Sequence, residues 1–483
     1  MARHLSADSI FRGVTVIDGT GSPRFVADVA VQDDRVLAVG ELGEWNAAIE
    51  IDGVNRILAP GIIDAHTHDD RALLSQAEMA MKASQGVTTV IAGNCGVSLA
   101  PLVAEQVPPP LDLIGGDEPQ QWFRFETFGD YLAALDDTPP ALNAACLVGH
   151  MTLRVGAMDR YDRVAIGREV DVMRERLEEG LDAGAIGFST GLDYAPNASA
   201  STEEIIGVAK ALPQYNGIYA THMRNEGVHI IEALNETFEI GLATQSDVVV
   251  SHCKCHGTES FGRSPEILDH LEHAMQQQQV GFDVYPYTAS STILKSKEVE
   301  IASKVLITWS KPYPKMASKE LSQIAEQWGL SLTDAAERLQ PAGAIYFSMD
   351  EEDVRRFLSH PQSMIGSDGL PHDAAPHPRL WGTFPKVLGH YARDVGLFSL
   401  EEAVRKMTSL PAQRFRLKDR GVLRPGAFAD LVMFDPDAVI DRATFESPMQ
   451  PAAGIEQVYV NGRVVWQEGK STANRPGRAL RRN

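Results

Sequence analysis

The segment Gly61-Ile62-Ile63-Asp64-Ala65-His66-Thr67-His68 places two imidazoles two residues apart at the end of an apolar run. On a strand, that spacing turns both rings to the same side. Further along, Cys95 follows Ala92-Gly93-Asn94, His222 follows Tyr219-Ala220-Thr221, His252 follows Val248-Val249-Val250-Ser251, and Asp368 stands in Ile365-Gly366-Ser367-Asp368-Gly369. Imidazole and thiolate are the donors that a borderline-soft ion such as Zn²⁺ takes, at about 2.0 to 2.3 Å, and a catalytic site keeps one position free for water. The chemistry open to this set is metal-assisted hydrolysis, with Asp368 as the proton acceptor that an activated water needs. Each residue alone has a quieter explanation: a buried, hydrogen-bonded histidine, a cysteine in the core, an aspartate capping an Asp-Gly turn. Their recurrence at the ends of successive apolar runs favours ligation. Cys253 and Cys255 flank Lys254, and as Cys-x-Cys they are a weak metal signal and read as structural. His150, His256, His372 and His377 are assigned to no metal.

Such residues need a scaffold that brings strand ends together. The middle of the chain alternates apolar strand-like runs with amphipathic helical stretches such as 168–179, and eight runs, ending at His68, Cys95, His150, Thr190, Met223, Lys254, Pro286 and Asp368, are what a closed (β/α)₈ barrel of the α/β class requires. In such a barrel the working groups converge at the C-terminal strand ends. The gap between the seventh and eighth runs is longer than an ordinary connection, so a lid insertion is expected at about 287–347. Short strands are expected at Val14–Ile17, Asp28–Val31 and Arg35–Val39, and again at Ala429–Phe434 and around Asn461-Gly462, a dipeptide that accepts a type I′ hairpin turn. The expected organisation is a small β-sandwich domain built from 1–60 and 413–483 around a catalytic barrel of 61–412.

The chain has 483 residues, 44% hydrophobic and 23% charged, enough for a barrel-sized core. Its net charge of −21 argues against nucleic acid and anionic membrane as partners, and an anionic small-molecule substrate would need local cations inside the site. No stretch approaches the roughly 18 apolar residues of a membrane span, and the expected location is cytoplasmic. Four cysteines are too few for a disulfide framework in a chain of this length.

The pattern Ala59-Pro60-Gly61-Ile62-Ile63-Asp64-Ala65-His66-Thr67-His68, with the later histidines and Asp368, resembles the amidohydrolase superfamily. Within it the chain looks most like the N-acyl-D-amino-acid deacylases. The resemblance is carried by Gly86-Val87-Thr88-Thr89-Val90-Ile91-Ala92-Gly93-Asn94-Cys95-Gly96, Tyr219-Ala220-Thr221-His222-Met223-Arg224-Asn225-Glu226-Gly227 and Met364-Ile365-Gly366-Ser367-Asp368-Gly369-Leu370-Pro371-His372. The fourth run, Gly184 to Thr190, lacks the lysine with which many of these enzymes bridge two metals, and the deacylase group uses a cysteine instead, which fits Cys95. The resemblance implies one tight zinc on Cys95, His222 and His252, a second, weaker site on His66, His68 and Cys95, and substrate contacts from Tyr194, Tyr285 and Arg379. One departure is Cys253, where relatives commonly have histidine. D-stereochemistry follows from the resemblance alone.

The expected reaction is hydrolysis of N-acyl-D-amino acids to a carboxylate and a free D-amino acid. Asp368 takes the water proton and returns it to the leaving amine. Lys254, two residues beyond His252, is the expected cation for the substrate carboxylate. Ser291, Leu294, Lys295 and Met349 are expected to set side-chain choice, favouring hydrophobic substrates. Acidic substrates, D-glutamate or D-aspartate derivatives paired with Lys295, remain the alternative. A cyclic-amide hydrolase of the hydantoinase kind and a non-catalytic binding protein are the more distant rivals.

Overall fold

The structure is a computed structural model and describes residues 6–116 and 118–482. Eight parallel strands, Ile62–Asp64, Val87–Ala92, Asn143–Gly149, Gly187–Gly191, Ile218–His222, Asp247–Val250, Val280–Val284 and Ser363–Ile365, follow one another in spatial order. The sheet closes on itself: Ala65 N donates to Ile365 O at 3.2 Å, Asp368 N donates to His66 O at 2.8 Å, and Thr67 bridges Gly369. This is the (β/α)₈ barrel that the eight apolar runs require.

The strands are continuous apolar runs because both faces are covered. Ile63, Ile91, Ala145, Leu147, Ile186, Ile218, Ala220, Val249 and Met364 point inward, and Leu410, Ala412, Phe415 and Leu417 plug the lower end. Helices pack outside. The stretch expected at 168–179 is the helix Gly167–Ala183, whose inner stripe is Met173, Leu177, Gly180 and Leu181, while Val172 is only half-buried. It stops at Gly184, which adopts a left-handed φ of 115°.

Nine strands from the two ends of the chain form a second sheet. Its centre joins the termini: Ile57–Pro60 pairs antiparallel with Leu431–Phe434, and parallel with the strand Ser6–Val16 through Thr15 and Val16. The hairpin between Ile455–Val460 and Arg463–Gln467 turns at Asn461 and Gly462, with φ of 46° and 76°, the positive pair of a type I′ turn. A Cβ on Gly462 would lie 1.9 Å from Asp33 O, so the turn is pressed against the N-terminal hairpin. A buried polar knot ties this sheet to the barrel: Asn461 Nδ2 donates to Asn143 Oδ1 at 2.8 Å, and Asp430 accepts from Arg420 and from Asn461 N.

Between the seventh and eighth barrel strands the chain builds a three-stranded antiparallel sheet, Ala289–Ile293, Lys304–Ser310 and Ala342–Phe347, flanked by Ser296–Ile301, Leu321–Trp328 and Leu332–Leu339. This insertion has a core of its own, including Leu294, Ile307, Ile324, Leu339 and Tyr346. Its first strand and first helix face the mouth of the barrel and line the large cavity there.

Candidate metal centre and substrate cavity

Except at His222, which ends its strand, the barrel ladders stop short of the residues that carry chemistry, and the chain turns sharply there. Cys95, His252 and Asp368 all have positive φ, 53°, 37° and 48°. These are costly conformations for residues with a Cβ and are held only where the surroundings impose them. Gly93 makes the turn before Cys95 feasible, because a Cβ on it would lie 2.1 Å from Leu147 O.

The turns aim five donors at a common centre. Three sets have donor atoms all within 4.8 Å of one another: Cys95 with His222 and His252, Cys95 with His66 and His68, and Asp368 with His66 and His252. Cys95 Sγ lies 3.3 Å from the Nε2 atoms of both His66 and His252. Burial alone would raise this thiol, but the facing rings of His66 and His252 hold it well below the usual range, which favours the thiolate. His66, His68 and His252 in turn are raised, the last two to about 9 and about 8; burial opposes this, and Asp283, Asp368, Cys95 and Glu226 outweigh it. The buried Nδ1 of His222 has no hydrogen-bond partner. A thiolate, imidazoles crowded on one point and an orphan ring nitrogen together fit a zinc-like cation, which would replace the protons that the site otherwise recruits.

Carboxylates on the far side of the rings fix their orientation. Glu226 Oε1 lies 2.9 Å from His252 Nδ1, and Glu226 Oε2 lies 3.7 Å from His222 Nε2. Asp283 lies 3.4 Å from His66 Nδ1 and accepts from His252 N at 3.0 Å. Such partners set tautomer and ring angle. Sequence reasoning assigned neither residue a role. Asp283 left a signal, a charge inside the apolar run Val280–Val284, whereas Glu226 is recognisable only once the loop after His222 is folded.

Asp368 sits beside the donors, with Oδ1 at 3.3 Å from His68 Nε2 and 3.7 Å from His66 Nε2. Its other oxygen, Oδ2, lies 2.9 Å from Arg379 Nη1. Burial pushes this carboxyl up, but Arg379 and the neighbouring imidazoles hold it well below the usual carboxylate range. Arg379 is fully buried, 4.6 Å from the Tyr285 ring centroid, and donates to Ser291 O at 3.0 Å, so it braces the site from behind.

A cavity of about 310 Å³ opens over this centre. His68, Cys95, His222, His252, Lys254, Asp368, Tyr194, Tyr285, Ser291 and Lys295 all line it. Lys254 lies past the end of its strand, so contacts rather than strand alternation place it: Nζ is 2.6 Å from Glu226 Oε1 and donates to His252 O at 2.9 Å. Burial opposes its charge and Glu226 restores it. Met349 and Leu294 do not reach the cavity. Met349 lies behind Tyr285, its Sδ 4.0 Å from the phenol oxygen, and Leu294 turns into the insertion's own core, so neither can touch a molecule in the main cavity. Asp193, Lys297, Val97, Leu113 and Leu370 are among the further wall residues that were not foreseen.

The unassigned histidines have other neighbours. His256 Nε2 lies 2.5 Å from Glu298 and its Nδ1 3.0 Å from Ser348 Oγ; His150 lies 3.3 Å from Glu204; His377 packs against Tyr287 and Phe445 and accepts from Arg379 N. His372 Nδ1 is 3.5 Å from Gln76. Cys253 and Cys255 are buried, with burial raising both thiols, as structural residues should be.

A family model described as the amidohydrolase family matches residues 50–296 and 315–466. The chain is 54% identical to a D-aminoacylase of Alcaligenes xylosoxydans xylosoxydans, covering 98% of both chains. It is 49% identical to an N-acyl-D-aspartate deacylase of the same organism, over 98% of this chain and 95% of that one. Among solved structures, an N-acyl-D-glutamate deacylase from Bordetella bronchiseptica, complexed with zinc and a phosphonate inhibitor that mimics the tetrahedral intermediate, superposes with a TM-score of 0.95 at 45% identity, covering 99% of this chain and 100% of that one.

Proposed function

The chain belongs to the amidohydrolase family, in its N-acyl-D-amino-acid deacylase group, and from that premise we propose that it uses one tightly held zinc to release D-amino acids with hydrophobic side chains from their N-acyl derivatives. It is a metal-dependent amidohydrolase acting on linear amides. The observation that carries the finer reading is the pair of donor sets sharing Cys95, with the Arg379-held carboxylate of Asp368 against their edge.

Cys95, His222 and His252 would hold the tight zinc, and His66, His68 and Cys95 a second, weaker site. Zinc bound there supplies an electrophile that polarises an amide carbonyl and acidifies water. The protein does the rest. Asp368 Oδ1, on the donor side, takes the proton of the attacking water as its oxygen bonds to the carbonyl carbon. It delivers that proton to the amine nitrogen as the C–N bond breaks. Arg379, on Oδ2, keeps the carboxylate ionised and fixes its rotation. Lys254 supplies the cation for the substrate carboxylate, as required in a chain of net charge −21. Tyr194 and Tyr285 wall the reacting centre, and the insertion acts as its lid, excluding water. A hydrophobic side chain suits the apolar faces of Val97, Leu113 and Leu370.

A panel of N-acetyl-D- and N-acetyl-L-amino acids, with metal analysis, tests this reading. D-leucine and D-methionine derivatives are expected to be turned over fastest, with about one zinc per chain. Faster turnover of the L-series, or of N-acetyl-D-glutamate over N-acetyl-D-leucine, would overturn it. Asp368→Asn is expected to lose about 10²- to 10⁴-fold in kcat; near-normal turnover with zinc retained would remove Asp368 from the mechanism.

A further inference from the structure

The wall of the cavity beyond Tyr194 carries a charge arrangement that the hydrolytic reaction does not use. Asp193 lies in the loop after the fourth barrel strand, and Lys295 and Lys297 lie at the start of the insertion's first helix. The Asp193 carboxylate bridges the two ammonium groups, Oδ2 to Lys295 Nζ at 2.5 Å and Oδ1 to Lys297 Nζ at 2.7 Å. All three line the cavity that contains Cys95, His222 and Asp368.

Lys295 is the better placed cation, its side chain 15% exposed against 61% for Lys297. Its backbone N donates to Tyr346 Oη at 2.8 Å, and its ammonium lies 4.5 Å from the Tyr194 ring centroid. That ring is itself 4.9 Å from the ring of His222. The ion pair therefore stands one aromatic ring away from a metal donor, within reach of the side chain of a bound amino acid.

We propose that Asp193 sets side-chain selectivity by occupying, with its own carboxylate, the cationic position that an acidic substrate side chain would otherwise take. The proposal rests on the deacylase reading above. A neutral side chain meets a satisfied ion pair and loses nothing by lying against it. An incoming carboxylate finds both ammonium groups engaged and the Asp193 charge at close range, and like charges brought together out of water are costly. Burial pushes the Asp193 carboxyl up, but Lys295, with His222 and Lys297, holds it below its usual range. Of the other acids lining the cavity, Glu298 pairs with His256 and lies 3.8 Å from Lys297, and Glu226 is engaged by Lys254 and His252. Replacing Asp193 by its neutral isostere leaves two ammonium groups facing the cavity, and the same scaffold should then take acidic side chains.

The test compares kcat/KM for N-acetyl-D-glutamate and N-acetyl-D-aspartate with that for N-acetyl-D-leucine and N-acetyl-D-methionine, in the zinc-loaded parent, Asp193→Asn, Asp193→Asn with Lys295→Met, and Lys295→Met alone. In Asp193→Asn the acidic-to-neutral ratio is expected to rise about tenfold or more, the worth of one charge-assisted hydrogen bond. Adding Lys295→Met should return it towards the parent. Lys295→Met alone, which leaves Asp193 less neutralised, should lower the ratio several-fold, and it decides the matter if Asp193→Asn does not fold. An unchanged ratio in either single variant, with D-selective turnover and zinc retained, overturns the proposal, as does a parent that already prefers acidic substrates. A parent inactive on every N-acetyl-D-amino acid would instead show that the deacylase reading has failed.

Discussion

At the scale of single residues, the two donor sets that share Cys95 differ in what surrounds their histidines. His222 and His252 meet Cys95 with Glu226 bracing both rings; in the other set Asp283 braces His66, and no such carboxylate braces His68, whose acidic neighbour at 3.3 Å is Asp368, the group proposed for proton transfer. Cys95→Ala or His222→Ala should therefore abolish zinc retention after dialysis, while His66→Ala or His68→Ala should keep about one zinc per chain. Equal loss from all four variants, measured by atomic absorption, would show that the division is wrong. The donors were legible in the sequence because each follows an apolar run at the point where a barrel strand must end. Glu226, Asp193 and the left-handed φ of Cys95, His252 and Asp368 were not, because they arise from contacts between segments distant in sequence. Met349 was misplaced for the same reason: which way it faces is decided by Tyr285.

Among elements, the decisive joint is the seam where the first and last barrel strands meet. Lys82, on the short helix Ala80–Ala83, is fully buried there; its Nζ lies 2.7 Å from Asp64 Oδ2 and 2.6 Å from Ser367 Oγ. Asp64 also accepts from Ser367 N at 2.8 Å, and Ser367 Oγ accepts from Gly369 N at 3.2 Å. Lys82 thus fastens the strand that leads to His66 to the turn that presents Asp368. Burial opposes its charge, and Asp64 and Asp69 more than restore it. Lys82→Met leaves a buried carboxylate uncompensated and should cost about 3 to 5 kcal/mol in urea unfolding, with kcat falling as the Asp368 turn loosens. A loss below about 1 kcal/mol would show the seam is held elsewhere. The barrel and its strand order could be read from apolar periodicity. The joint could not, because one lysine within Ala80-Met81-Lys82-Ala83 looks like any exposed helical residue.

Across the whole molecule, a net charge of −21 surrounds a cavity whose substrate is itself an anion. The field extends about 30 Å at 0.01 M salt and only about 8 Å at 0.15 M. Raising the salt should therefore increase kcat/KM for an N-acetyl-D-amino acid severalfold, while the burial of Lys254 leaves its short-range attraction largely unscreened. A steady fall with salt would mean that local cations steer the encounter instead. The sheet built from both ends of the chain has a consequence of another kind. Leu58 pairs with Met433, and the Phe11 ring packs 5.3 Å from that of Tyr459, so the N-terminal strands, although they pair with one another, complete their sheet only when the C-terminal strands have been made. Until then Phe11, Val14, Val16 and Leu58 lack the cover of Leu431, Met433 and Tyr459, and a partly covered apolar strand surface is the kind that aggregates or recruits chaperones. The sheet started before the barrel is completed after it, and the yield of folded protein should depend on how well the growing chain is sheltered until then.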